Sequence, residues 1–98
     1  MSRPIILRPE AEQDLVEAQR WYERQQSGLG RRFVAEVSVA LDRVAARPGM
    51  YDVIWEDVRS CLLQRFPYLI YYRVLPDRIE VLAVIHGSRD PSTWQDRA

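Results

Sequence analysis

The side chains able to do chemistry lie in the second half of this chain. His86 is the single histidine. It ends an apolar run and directly precedes Gly87-Ser88-Arg89-Asp90-Pro91. Imidazole titrates near neutrality, so His86 is the candidate general acid or base; its other reading is a structural histidine beside a turn. Arg65 and Arg73 stand in apolar, strand-like runs. A guanidinium there needs a carboxylate or an anionic ligand, because burying a bare charge is costly. An ion pair with Asp or Glu satisfies that need, and so does phosphate. Arg89 and Asp90 have the types to fix the tail through neighbouring groups. Tyr68, Tyr71 and Tyr72 read as core or cover residues, with base stacking as the functional alternative. Trp94 reads as a tail anchor or a ligand contact. Phosphate loop, zinc motif, nucleophile elbow and dinucleotide fingerprint are all absent from the sequence, which removes most common enzyme classes. No metal and no cofactor are expected.

The elements that must position these residues divide near Pro48-Gly49. Before it the pattern is helical; after it, extended. Pro4 to Leu7 predicts a short first strand. A helix starts near Pro9, since proline suits the first helical position, and Glu10, Glu12 and Asp14 complement the positive end of the dipole. Ala11, Leu15, Ala18 and Tyr22 recur at helical spacing, with Trp21 on the edge of the stripe. Gln25-Gln26-Ser27-Gly28 breaks the pattern, and Ser27 is the candidate cap of a second helix. There Leu29, Phe33, Val37, Ala40, Leu41 and Val44 form the stripe. Arg47-Pro48-Gly49 stops it. The two helices read as a hairpin.

Beyond residue 50, Val, Ile, Tyr, Phe and Trp favour strands. Val58 to Phe66, Tyr68 to Val74 and Ile79 to Ile85 are the candidates. Connections this short predict an antiparallel meander. Leu69 and Tyr71 share one face; Tyr68, Ile70, Tyr72 and Val74 share the other. One face packs on the helices. The other needs a second cover, from the tail or from a partner. The tail, Asp90 to Gln95, reads as a capped helical turn or an Asp/Pro turn carrying Trp94. The expected fold is α+β in the order β-α-α-β-β-β, an αα-hairpin on one face of an antiparallel sheet.

At 98 residues the chain is one domain, 1–98. Its 47% apolar and 29% charged content is ordinary for a globular protein. No apolar run approaches the roughly 20 residues that span a bilayer, and the N-terminus lacks a secretory signal. A cytoplasmic location with no membrane association is expected. The lone Cys61 excludes an internal disulfide and reads as a buried, inert thiol. The 14 basic residues are all arginine and balance 14 acids. Non-specific nucleic-acid binders are normally basic, so that class is disfavoured. The balance is uneven: Arg59 to Arg89 holds five arginines against Asp77 and Glu80.

Residue order over this region resembles the RelE/ParE superfamily of toxins from type II toxin–antitoxin modules, especially its ParE-like branch. The matching signals are Arg65-Phe66-Pro67-Tyr68, Tyr71-Tyr72-Arg73-Val74, Val81 to Ile85, His86-Gly87, Arg89-Asp90-Pro91 and Trp94. Ala11, Asp14, Leu15, Trp21 and Tyr22 resemble the family's first helix. Gly28-Leu29-Gly30 with Arg32-Phe33 resembles the start of its second. Each fragment is weakly specific; their order and spacing are not.

The resemblance implies a cognate antitoxin as partner, with operator DNA met only through that antitoxin. It implies Arg65, Tyr68, Tyr71, Arg73, His86, Arg89 and Trp94 as the surface for partner or target. RelE-like members cleave mRNA on the ribosome and need phosphate-holding cations with an acid and a base. Here Arg65, Arg73 and His86 would have to be that set. ParE-like members lack it and are associated with poisoning DNA gyrase. A neutral chain without lysine is poorly suited to an RNA-dense surface. The expectation is therefore a ParE-like gyrase poison without a catalytic set. A ribosome-dependent nuclease is the alternative, and a non-toxic binding module of this fold is the second.

Overall fold

A computed structural model describes residues 3–98. Strand β1 (Ile5–Leu7) leads into helix α1 (Pro9–Gln25), then helix α2 (Leu29–Ala46). Four strands follow, β2 (Val53–Trp55), β3 (Val58–Leu62), β4 (Tyr68–Val74) and β5 (Ile79–His86), before a short helix α3 (Ser92–Gln95). The five strands form one sheet in the order β1-β5-β4-β3-β2.

The helices form where the pattern places them. Pro9 opens α1 with Glu10 and Glu12 in its first turn, and Ala11, Ala18 and Tyr22 are buried. In α2 the buried side is Gly30, Phe33, Val37, Ala40 and Val44. Both stripes join Ile70, Tyr72, Ile79, Val81 and Val84 of the sheet in the main core. Trp21 departs from the expectation: it is 49% exposed, turned off the stripe with its edge toward Tyr22.

Ser27 does not cap α2. The cap is Gly28, at φ 88° in the left-handed region that favours glycine. Glu23 of α1 does the capping instead, its carboxylate accepting from the Gly28 N–H at 2.9 Å and the Gly30 N–H at 3.0 Å. Gly30 has a steric reason as well. A β-carbon there would stand 2.6 Å from the Gln19 carbonyl oxygen and 3.0 Å from Glu23 Oε1. Gly30→Ala must pry the hairpin apart, and a loss of about 1–3 kcal/mol is expected. Thermal melts check it, with Gly49→Ala, whose β-carbon would meet nothing within 4 Å, as the tolerated comparison.

The sheet is mixed, not wholly antiparallel. The meander β3-β4-β5 is antiparallel as expected. β1, however, pairs with β5 in parallel, Ile5 facing Ile79 and Leu7 facing Val81. The helical hairpin carries the chain across the sheet between β1 and the meander, so a return in the same direction is open to it. β2 was not foreseen. It is three residues long, with a register irregularity against β3 and two exposed members, Val53 and Ile54. Too few residues alternate for a period to show. β3 ends at Leu62 rather than Phe66. Gln64 and Arg65 are exposed in the connection, while Leu63 and Phe66 are buried from it.

The second face has its cover. Val58, Tyr71, Leu82, Ala83 and Ile85 form a smaller core closed by Trp94 of α3. The tail supplies this lid over part of the face, while Leu62 of β3, in phase with Val58, stays 63% exposed.

Candidate functional site

The residues singled out by sequence fall into three places. The first is a cleft between α1 and the end of β5. Its walls include Asp14, Glu17, Trp21, Tyr68, His86 and Arg89. A β-bulge builds it. Tyr71 faces Ala83 but Tyr72 faces Val81, leaving Leu82 as the extra residue. Leu82 and Ala83 both join the outer core, whereas Val84 returns to the inner one. The phase of β5 is thereby reversed, and His86 comes to lie on the helix side with Tyr68, its cross-strand neighbour.

The bulge frees backbone groups that side chains then satisfy. Asp14 Oδ2 accepts from the Val84 N–H at 3.1 Å. Arg97 Nη1 donates to the Leu82 carbonyl at 3.1 Å and to Asp14 Oδ2 at 2.6 Å, with Nη2 on Oδ1 at 3.2 Å. Arg8 Nη1 holds the Arg97 carbonyl at 2.7 Å. Hydrogen bonding to Asp14 raises the Arg97 guanidinium further above its usual range.

His86 is anchored through its ring Nδ1. Its Nδ1 accepts from the Ser88 N–H at 3.0 Å and lies 2.8 Å from Ser88 Oγ. A backbone donor can only meet an unprotonated nitrogen, so the neutral ring carries its proton on Nε2 and is a donor on that side. Its edge meets the Tyr68 ring at 5.5 Å. Burial pushes the Tyr68 hydroxyl up; the Arg89 charge pulls it partly back and Asp14 adds to the rise. Tyr68 is therefore a neutral hydroxyl near pH 7. The cleft holds about 200 Å³, below the size of ordinary small-molecule pockets.

The second place is the outer sheet face. Tyr71 and Trp94 stack at 4.7 Å with 12° between planes, and Trp55 meets Trp94 edge-on at 5.8 Å. Arg73 lies 3.4 Å from Glu80 across the strands, both mostly buried. The carboxylate that sequence reasoning offered as one answer for Arg73 is present.

The third place holds Arg65. It stands not in a strand but on the exposed connection between β3 and β4, so neither sheet face carries it. It lines a cleft against α2 with Leu29, Arg32, Ala35, Glu36 and Phe66. Arg89 forms no ion pair among the described residues, while Asp90 Oδ1 accepts from the Ser92 N–H at 2.9 Å and shapes the tail turn.

Arg65, Arg73 and His86 thus occupy three separate settings. Asp14, which lines the first cleft, and its ion-pair partner Arg97 escaped sequence reasoning in these roles. Asp14 carried a signal: a carboxylate three residues after Ala11 and four before Ala18, inside an apolar stripe. Arg97 carried none.

A helical hairpin on a five-stranded mixed sheet, with a tail helix over the outer face, defines a small α+β fold, and among the described residues Arg65, Arg73 and His86 do not converge. The family profile described as the ParE toxin of type II toxin-antitoxin system, parDE, matches residues 5–91. The chain belongs to this ParE toxin family. It is similar to Toxin ParE2 of Mycobacterium tuberculosis, in strains CDC 1551 / Oshkosh and ATCC 25618 / H37Rv. Identity to each is 27% over 93 residues, covering 94% of this chain and 89% of the relative. Its fold is similar to a solved chain described as the chromosomal ParDE TA system from P. aeruginosa. That match has a TM-score of 0.74 at 19% identity, covering 87% of this chain and 96% of the other.

Proposed function

We propose that this toxin is held inactive by a cognate antitoxin and, when freed, poisons DNA gyrase. Membership of the ParE family and the fold shared with a chain from a ParDE system support the antitoxin as partner. The observation that carries the choice of target is the dispersal of Arg65, Arg73 and His86. Cleavage of RNA by its own 2′-hydroxyl needs a base, an acid and a phosphate-holding cation around one phosphodiester. Arg73 is spent on Glu80, Arg65 lies on another cleft, and the Nδ1 of His86 is taken by Ser88. A poison needs none of this. It needs a surface that favours one state of a larger enzyme.

Induction of the gene tests the target. Gyrase poisoning predicts double-strand breaks, an SOS response and cleavage complexes with purified gyrase, while mRNA stays intact and His86→Ala remains toxic. Ribosome-dependent mRNA cleavage abolished by His86→Ala, with gyrase unaffected, would establish the nuclease reading instead. The partner is tested by co-expression with the product of the adjacent reading frame. Co-elution and loss of toxicity are expected; independent elution with undiminished toxicity refutes the antitoxin.

A further inference from the structure

We propose that the cleft between α1 and the end of β5 binds a single unpaired nucleotide, its base flat against Trp21 and its phosphate on Arg89. The inference goes beyond the gyrase reading and does not rest on it.

The cleft does not end at Trp21. A second cavity of about 390 Å³ shares Trp21, Tyr68 and His86 with it and runs on to Tyr22 and Pro67. Together the two reach the size of ordinary small-molecule sites, roughly 300–1,000 Å³. The walls of this slot are mostly aromatic. Trp21 is 49% exposed, although a large apolar ring gains by burial. The fold engages it only edge-on, against Tyr22. A slot walled by rings selects a flat occupant that stacks.

The polar groups around the slot narrow the choice. Arg89 forms no ion pair among the described residues, and neither its guanidinium nor the Tyr68 hydroxyl donates a hydrogen bond there. The Arg89 charge acts on that hydroxyl, so the two donors face a common space. They call for an anion. Asp14 on the same wall does not oppose one, because Arg97 holds both of its oxygens and the Val84 N–H shares Oδ2. Glu17 stands on α1, one turn before Trp21, and Gln13 occupies only its Oε1, at 3.0 Å. A carboxylate accepts and does not donate, so Glu17 favours a ring that carries an N–H. It belongs to α1 and Arg89 to the turn after β5, so ring and anion are received from opposite walls. A peptide carboxylate satisfies Arg89 and leaves the slot and Glu17 unmatched. A nucleotide whose base bears an exocyclic amine satisfies all three.

The test is isothermal titration calorimetry on the full chain. The probes are dCMP, deoxycytidine, dUMP, and single-stranded oligonucleotides of dC in DNA and of C in RNA. The dCMP is expected to bind. Deoxycytidine, lacking phosphate, and dUMP, lacking the amine, should each bind about tenfold more weakly, the value of one charge-assisted hydrogen bond. Arg89→Ala weakens dCMP about tenfold and leaves deoxycytidine unchanged, which a general distortion of the cleft does not do. Glu17→Gln offers both a donor and an acceptor and erases the preference for dCMP over dUMP. Trp21→Ala weakens every probe about tenfold, the value of a stacked base, and Trp21→Phe recovers much of it. Arg47→Ala, at the far end of α2, changes nothing. A strand that binds at least as tightly as dCMP identifies the source as single-stranded nucleic acid, and the DNA and RNA probes say which; strands that bind more weakly identify the free nucleotide. No binding of dCMP at millimolar concentration, equal binding of deoxycytidine, or full binding by Trp21→Ala overturns the proposal. The comparison of dCMP with deoxycytidine uses the unaltered chain, so a folding defect does not protect the claim.

Discussion

Asp14→Ala is expected to cost about 3–5 kcal/mol, a large share of the roughly 5–15 kcal/mol that holds an ordinary domain folded. The side chains of Asp14 and Arg97 are only 11% and 17% exposed. Removing the carboxylate strands the guanidinium beside the Leu82 carbonyl and deprives the Val84 N–H of its acceptor. Both costs fall on the bulge of β5, so the end of that strand, with His86, loses its placement first. Urea denaturation measures the loss. Asp14→Asn keeps an acceptor for Val84 but not the charge, and should fall between the parent and Asp14→Ala. Arg97→Met removes the charge from the other side and leaves Asp14 bonded to Val84, so it should cost less than Asp14→Ala. A loss below about 1 kcal/mol for Asp14→Ala, the range of a surface ion pair, contradicts this account of the bulge.

Trp94→Ala should be comparably severe, about 3–5 kcal/mol. Trp94 is 5% exposed and closes the outer core against Tyr71 and Trp55. Its loss opens a cavity and uncovers Tyr71, Leu82 and Ile85, which together make a surface prone to association. A lower urea midpoint, binding of a hydrophobic dye and concentration-dependent light scattering are the expected readouts. Trp94→Phe retains a ring on Tyr71 and should recover much of the loss. Trp21→Ala supplies the contrast: that side chain is half exposed, and its removal should shift stability by no more than about 0.5 kcal/mol. If Trp94→Ala proves as mild as Trp21→Ala, the tail is no lid.

These two side chains mark where legibility in the sequence stops. Both helices were readable because apolar stripes at 3.6-residue spacing, with proline at the start of one and Pro-Gly beyond the other, admit one element. β4 was readable to the residue, its two faces separated correctly, because Phe66-Pro67 and Pro76-Asp77 bound it. β5 was readable as a strand but not in phase. Five consecutive apolar residues, Val81 to Ile85, give no alternation, so an extra residue at Leu82 leaves no trace. The cap on α2 misled because Ser27 has the right chemistry one position early, while the actual acceptor, Glu23, belongs to the other helix.

The candidate site was legible as a set of residue types and not as a place. Local pattern and residue order determined an αα-hairpin on a meander, a tail bearing a tryptophan, and the family. Tertiary structure alone decided that Arg73 meets Glu80, that Arg65 faces α2 beside Arg32, and that Trp94 covers the sheet. It alone decided that a bulge held by Asp14 and Arg97 turns His86 toward α1. The physical reason is range. Helical and strand periods act between residues a few positions apart, and the chain writes them plainly. The Asp14–Arg97 pair joins residues 83 positions apart, and the Asp14–Val84 bond joins residues 70 apart. Contacts of that span exist only once the backbone has closed, and they place the candidate side chains of the cleft.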